Sequence, residues 1–179
     1  KKSVLTLSLP ARVRKGLKKG DSLAVQGICL TVRSLGKKHA QFDILDETLR
    51  RTRMGAARPG MKVNLERSLR YGVRMGGHFL TGHVDTAGKV VRVEQRKADR
   101  ILAVGYPAKF SKFVLEKGSI GIDGVSLTVA AAGKNTLRVH LIPHTLSATT
   151  LDSLKAGDKV NLEFDMMAKY IYRCKKFPG

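Results

Sequence analysis

Apolar and polar positions alternate with period two along most of this chain, in short runs separated by turn residues. Val4–Leu9 (VLTLSL) alternates as a half-buried strand does. Leu23–Val25 and Ile28–Leu35 are rich in β-branched and aliphatic residues. Gln26-Gly27 between them suits the positive φ of a tight hairpin turn. Short strands are expected at Gln41–Ile44 and Lys62–Leu65. Tyr71–Gly77 (YGVRMGG) has the glycines of a linker, and Phe79–Arg96 contains a further strand. The pattern then resumes, with Asp123-Gly124 in the hairpin turn and strands at Arg138–Leu141 and Lys159–Phe164. Such closely spaced turns predict a small barrel or sandwich in each half. Helical signals are few. Pro10 and Pro107 each open a basic stretch suited to a helical turn, and Glu47–Thr52 and His144–Thr150 suit short helices. Met166–Lys176 suits a final helix with Met167, Tyr170, Ile171 and Cys174 on one face.

The two halves are copies. Residues 4–66 and 101–163 align without a gap at an offset of 97, with 20 of 63 pairs identical. Unrelated sequences of ordinary composition share roughly four or five over that length. The identities cluster: Gly27, Leu30, Thr31 and Val32 recur as Gly124, Leu127, Thr128 and Val129, and Lys62–Glu66 recurs as Lys159–Glu163. A period this long means tandem domains rather than a solenoid. A doubled module suggests a doubled site, for two similar ligands or two halves of one. The copies differ in what precedes them. The second follows Phe79–Arg96, whereas the first has three residues ahead of it. A sheet edge covered in the second is therefore expected to lie open in the first. On this reading the natural N-terminus lies about 18–20 residues further upstream, the length of the second copy's lead-in.

Composition narrows the class. The hydrophobic share of 42% and charged share of 27% are those of a globular protein. No apolar run approaches the length of a membrane span, and no secretory signal opens the chain. Cys29 and Cys174 make no disulfide framework, so free thiols and a cytoplasmic setting are expected. The histidines at 39, 78, 83, 140 and 144 form no HExxH pattern, and no metal is expected. The net charge of +20 raises nucleic acid as a partner. Against that, the basic residues are scattered, and the few aromatics are not spaced as base-stacking platforms.

Seven segments in order carry a specific resemblance. GDSLAVQGICLTV (Gly20–Val32), FDILDETLRRT (Phe42–Thr52), VNLERSL (Val63–Leu69) and GGHFLTGHVD (Gly76–Asp85) resemble the riboflavin synthase α-chain family. So do KGSIGIDGVSLTV (Lys117–Val129), HLIPHTL (His140–Leu146) and VNLEFD (Val160–Asp165). The resemblance implies an all-β fold: two tandem homologous six-stranded Greek-key barrels and a short C-terminal helix. The expected division is 1–76, with its opening strand missing, then 77–165, then a helical tail at 166–179. It further implies a homotrimer needing no cofactor, in which two molecules of 6,7-dimethyl-8-ribityllumazine exchange a four-carbon unit. The products are riboflavin and 5-amino-6-ribitylamino-2,4-pyrimidinedione. The resemblance also implies a reaction site between the first barrel of one subunit and the second barrel of its neighbour. The family normally opens with Met-Phe-Thr-Gly, comparable to Phe79-Leu80-Thr81-Gly82 here.

Carried over residue by residue, the ring-binding strands fall on Cys29, Leu30 and Thr31 and on their repeat partners Ser126, Leu127 and Thr128. Pteridine and ribityl contacts fall on Asp43, Ile44, Leu45, Asp46, Glu47 and Thr48, and on His140, Leu141, Ile142, Pro143, His144 and Thr145. Gly82, His83, Val84 and Lys117 add further contacts. The chemistry needs deprotonation of a ring methyl, addition to the partner ring, then elimination. Its candidate groups are Ser22, Cys29, Thr31 and His83 from one barrel and Ser126, Thr128 and Asp165 from the other. His83 is the candidate proton shuttle and Cys29 the candidate weak acid or nucleophile. Two alternatives stay open: a lumazine- or flavin-binding protein of the same fold without turnover, and a basic nucleic-acid binder. The charge also admits an acidic protein partner, lumazine synthase being the one the resemblance suggests.

Overall fold

In the computed structural model the described residues are 2–97 and 99–176. The first lobe contains β1 (Lys2–Ser8), β2 (Ser22–Val25), β3 (Ile28–Leu35), β4 (His39–Leu45) and β5 (Leu65–Arg67). Its helical pieces are α1 (Ala11–Arg14) and α2 (Asp46–Arg51), the latter followed by a 3-10 turn at Arg53–Ala56. The second lobe contains β6 (Thr86–Arg96), β7 (Asp99–Gly105), β8 (Ser119–Ile122), β9 (Val125–Ala132), β10 (Thr136–Leu141) and β11 (Lys159–Phe164). A 3-10 turn at Ala108–Phe113 stands where α1 does, and α3 (Pro143–Ala148) stands where α2 does. The C-terminal helix α4 spans Met166–Lys176. The expected tail at 166–179 also includes 177–179, which lie outside the described residues.

The second lobe closes into a barrel in the order β10-β7-β6-β11-β8-β9, all neighbours antiparallel. The first lobe repeats that order as a five-stranded sheet, β1-β4-β3-β2-β5. It stays open between β1 and β5, where β6 stands between β7 and β11 in the other lobe. The unequal lead-in to the two copies anticipated this opening. Burial follows the difference. Ile101, Leu102 and Val104 on β7 are buried, whereas their repeat partners Val4, Leu5 and Leu7 on β1 are exposed or half-buried.

Each lobe has its own apolar core. Leu23, Val25, Leu30, Val32, Phe42 and Ile44 fill the first. Leu102, Val104, Ile120, Ile122, Leu137, Val139, Leu162 and Phe164 fill the second. These are the inward positions of period-two strands, as the alternation required.

The lobes join through their repeat-equivalent hairpin turns. Gln26-Gly27 and Asp123-Gly124 all have positive φ, and they pack backbone to backbone. A Cβ on Gly27 would lie 2.5 Å from the Gly124 nitrogen, so only glycine permits this approach. A polar belt surrounds the contact. Asn161 Nδ2 donates to Gln26 O at 2.8 Å, and Asn64 Nδ2 donates to Asp123 O at 3.0 Å. The Arg53 backbone N–H donates to Asn161 Oδ1 at 2.8 Å, and the Thr150 N–H donates to Asn64 Oδ1 at 2.7 Å. The opening between β1 and β5 explains one departure from the expected strands. Regular structure was expected at Lys62–Leu65, but β5 starts only at Leu65. In the second lobe Lys159, Val160 and Asn161 pair with β6, and Asn161 stays in β11 while exchanging the equivalent bonds with Asp123. Among the described residues Lys62, Val63 and Asn64 have no such neighbouring strand, and the Asn64 backbone bonds Gln26 alone, its N–H donating to Oε1 and its carbonyl accepting from Gln26 N.

Candidate functional site

On β3, Cys29 and Thr31 point outward and are exposed, while Leu30 and Val32 enter the core. In the antiparallel register Ser22 on β2 stands opposite Thr31, and Ala24 opposite Cys29. On neighbouring β4, Asp43 and Leu45 face outward and Ile44 inward. Asp43 pairs with Arg33 at 2.9 Å. Helix α2 begins at the next residue, which puts Asp46, Glu47 and Thr48 at the end of the same surface.

The second lobe repeats the arrangement. On β9, Ser126 is half-buried and Thr128 exposed, and Leu127 is buried. Adjacent β10 turns His140 outward and Leu141 inward, and Ile142 leads through Pro143 into α3, which carries His144 and Thr145. Lys117 is exposed beside β9, its N–H donating to Val129 O at 2.8 Å with φ of 65°. Its repeat partner Gly20 makes the same bond to Val32 O at 2.9 Å. A side chain in left-handed backbone costs about 1–2 kcal/mol.

The linker ties the two surfaces together. At one end Gly82, with φ of 79°, accepts the Cys29 backbone N–H at 2.8 Å. A Cβ there would fall 2.6 Å from the Cys29 nitrogen. The approach is held by Glu163, buried on β11, whose carboxylate accepts from Thr81 N (2.7 Å), Thr81 Oγ1 (2.8 Å) and Gly82 N (3.0 Å). Beyond Gly82, His83 is exposed and Val84 packs against the first lobe's core. At the other end His78 Nδ1 lies 2.7 Å from Ser126 Oγ, and the His78 backbone N–H also donates to that oxygen at 3.3 Å. Burial lowers the His78 pKa, against the opposing pull of Asp165 and Glu163. Asp165 itself accepts the Met167 N–H at 2.9 Å and so caps α4.

An open cavity of about 1630 Å³ lies between the lobes. Of the residues singled out from sequence, Ser22, Cys29, Gly82 and Ser126 line it. Leu30, Thr31, Asp43 to Thr48, His83, Val84, Lys117, Leu127, Thr128, His140 to Thr145 and Asp165 do not. Most of these occupy outward strand surfaces beyond the cavity or core positions beneath them. Sequence reasoning passed over His78, although it lies in the GGHFLTGHVD segment, and Glu163, which closes the repeated KVNLE. Both line or shape the space between Cys29 and Ser126.

Two like β-lobes, each with a polar strand surface and together enclosing a cavity, define a tandem-barrel protein for small ligands. The chain belongs to the lumazine binding domain family, whose profile matches residues 1–68 and 81–165. It is 44% identical over 165 residues to the riboflavin synthase of Mycobacterium tuberculosis (strain ATCC 25618 / H37Rv), covering 89% of this chain and 82% of that protein. It is 42% identical over 154 residues to the riboflavin synthase of Bacillus subtilis (strain 168), covering 86% and 72%. Among solved structures it is similar to LumP complexed with riboflavin, at a TM-score of 0.83 and 27% identity over 91% of this chain and 88% of that one. LumP complexed with 6,7-dimethyl-8-(1'-D-ribityl) lumazine gives 0.81 and 25% over 90% and 87%.

Proposed function

We propose that this chain is a riboflavin synthase, converting two molecules of 6,7-dimethyl-8-ribityllumazine into riboflavin and 5-amino-6-ribitylamino-2,4-pyrimidinedione. The observation that carries the reading is the doubled surface: Cys29–Thr31 beside Asp43–Thr48 on one lobe, and Ser126–Thr128 beside His140–Thr145 on the other. Two equivalent surfaces suit two copies of one substrate. Identity to proteins named riboflavin synthase extends over both. Holding the two rings face to face turns a bimolecular encounter into an oriented intramolecular one. Strand amides and the hydroxyls of Thr31 and Thr128 match the donor and acceptor edge of a pyrimidinedione. Ser22, Cys29, His83, Ser126 and Asp165 supply the proton-transfer groups, and Lys117 is a cation at the second surface.

The reacting pair forms between the first lobe of one subunit and the second lobe of its neighbour in a homotrimer. The outward strand surfaces beyond the cavity support that arrangement. So does the exposed face of α4, where Met167, Tyr170 and Ile171 are 58%, 62% and 65% exposed. The free thiols Cys29 and Cys174 suit a cytoplasmic enzyme, and the charge of +20 suits an acidic partner such as lumazine synthase. Incubation with the lumazine tests the function. Riboflavin and the pyrimidinedione in equal amounts, with two substrates consumed per riboflavin, are expected. Tight binding without product would replace this reading with a ligand carrier, as the likeness to LumP would then suggest.

A further inference from the structure

We infer that His78 is the positioning residue for Ser126 and takes up the proton that this serine relays; the inference rests on the reading above. The geometry comes first. Gly77 lies so close to Ser126 Oγ that a Cβ there would overlap it, and this approach holds the His78 ring against the hydroxyl. The Nδ1 to Oγ distance is 2.7 Å. Because the His78 backbone N–H also donates to Oγ, the serine oxygen already accepts one hydrogen. Its own O–H is best satisfied by a bare Nδ1. That assigns the ring proton to Nε2, which is buried with no hydrogen-bond partner among the described residues. The carboxylates bearing on the ring are Asp165 and Glu163. Their negative potential favours an N–H over a lone pair at Nε2.

An oriented serine of this kind leaves an oxygen lone pair free for a ligand in the cavity that both residues line. In the relay, a proton leaves the substrate's ring methyl for Ser126 Oγ while the serine's own proton passes to His78 Nδ1. The ring is left as an anion and the histidine as an imidazolium beside Asp165 and Glu163, and the later elimination returns the proton. Cys29, the repeat partner of Ser126, meets the Gly82 carbonyl through its backbone, and among the described residues no histidine is hydrogen-bonded to its thiol. The two lobes are therefore chemically unequal, and the molecule that loses its proton is the one at Ser126.

Two measurements on the 179-residue chain test this. The first needs no substrate: nitrogen NMR of ring-labelled histidine, assigned by loss of the signal in His78→Ala. A protonated Nε2 and a bare Nδ1 that shifts in Ser126→Ala are expected, and a protonated Nδ1 overturns the inference. The second is kinetic. His78→Ala and Ser126→Ala should each lower kcat by about 100-fold or more, with KM changed less than about threefold. The double variant should be no slower than either single one. His78→Asn, which places an amide where Nδ1 was, should recover part of kcat but lose the acid limb of the pH profile. Additive losses, or an unchanged acid limb in His78→Asn, overturn the inference while leaving the function intact. A wild-type chain that makes no riboflavin sinks the function instead, and the NMR result then decides the serine–histidine pairing alone.

Discussion

Asp123 offers a test of how dry the junction between the lobes is. Its side chain is fully buried, with Oδ1 accepting the Asn161 N–H at 2.8 Å and Oδ2 paired with Arg53. Desolvation outweighs Arg53 and raises the carboxyl from 3.8 to about 6. Since the folded state then holds this proton more tightly than the unfolded chain, the stabilisation is complete below about pH 3.8 and is lost as pH rises through about 6. At 1.36 kcal/mol per pK unit the full loss is about 3 kcal/mol, of which about 2 kcal/mol falls between about pH 4.5 and 7.5. Asp123→Asn abolishes this titration while keeping an acceptor for Asn161. Urea unfolding of both proteins across that range should give a stability difference that moves by about 2 kcal/mol, with the wild type losing ground as pH rises. Parallel curves would mean that water reaches the carboxyl and that the junction is not sealed.

Three further predictions follow from the same geometry. Gly124→Ala should lower stability by about 3 kcal/mol or more, since it adds an overlap with Gly27 to the cost of left-handed backbone. Gly20→Ala, with φ of 90° but nothing within 4 Å of the new Cβ, should cost only about 1–2 kcal/mol; equal urea midpoints would refute the packing argument. Glu163→Ala should speed hydrogen exchange at Thr81 and Gly82 by about tenfold or more, because it removes charge-assisted bonds, and unchanged protection would show the linker held by something else. Exposed Cys29 and Cys174 should both react with a thiol reagent. Saturating lumazine should slow only Cys29, by about tenfold, and equal rates with ligand would remove Cys29 from the binding surface.

Much of the fold was legible because the repeat let each strand be read twice. The hairpin at Gln26-Gly27 was a weak signal by itself, and Asp123-Gly124 at the same offset made it firm; both turns have the positive φ that the dipeptides called for. Helix α4 matches the expected span because its apolar face is sustained over three turns. The failure at Lys62–Leu65 came from the opposite cause. Asn64 belongs to the most faithfully repeated segment, and its copy Asn161 lies in a strand, but that stretch of β11 is laddered to β6, and no local pattern in residues 62–64 records that the first lobe offers no such neighbour. Of the candidate site, Ser22, Cys29 and Ser126 were legible as repeat-related polar positions in otherwise apolar strands. His78 was not, for a physical reason. Its significance lies in a contact with a residue 48 positions away, made from outside the repeated segments.

That asymmetry bears on how a duplicated scaffold supports a reaction between two identical molecules. Symmetric lobes would treat both substrates alike, whereas a dismutation needs one to give and one to receive. The differences here fall at equivalent positions. Where the second lobe's turn residue Asp123 pairs with Arg53 of the first lobe, the first lobe's Gln26 meets the neutral Thr150 of the second, at 3.5 Å. Where one lobe presents Cys29 against a backbone carbonyl, the other presents Ser126 against an imidazole. The first difference gives the junction one charged side and one neutral side, so its two sides are not interchangeable. If these are the substrate surfaces, as proposed, the second makes them unequal as proton acceptors. Exchanging the pairs by converting Asp123 to Gln and Arg53 to Thr would make the belt neutral on both sides without touching Ser126 or His78. If the inequality that matters for turnover lies at the serine, this variant should change stability and its pH dependence but leave kcat within about threefold of wild type. A kcat loss as large as that of Ser126→Ala would place the decisive asymmetry at the junction instead.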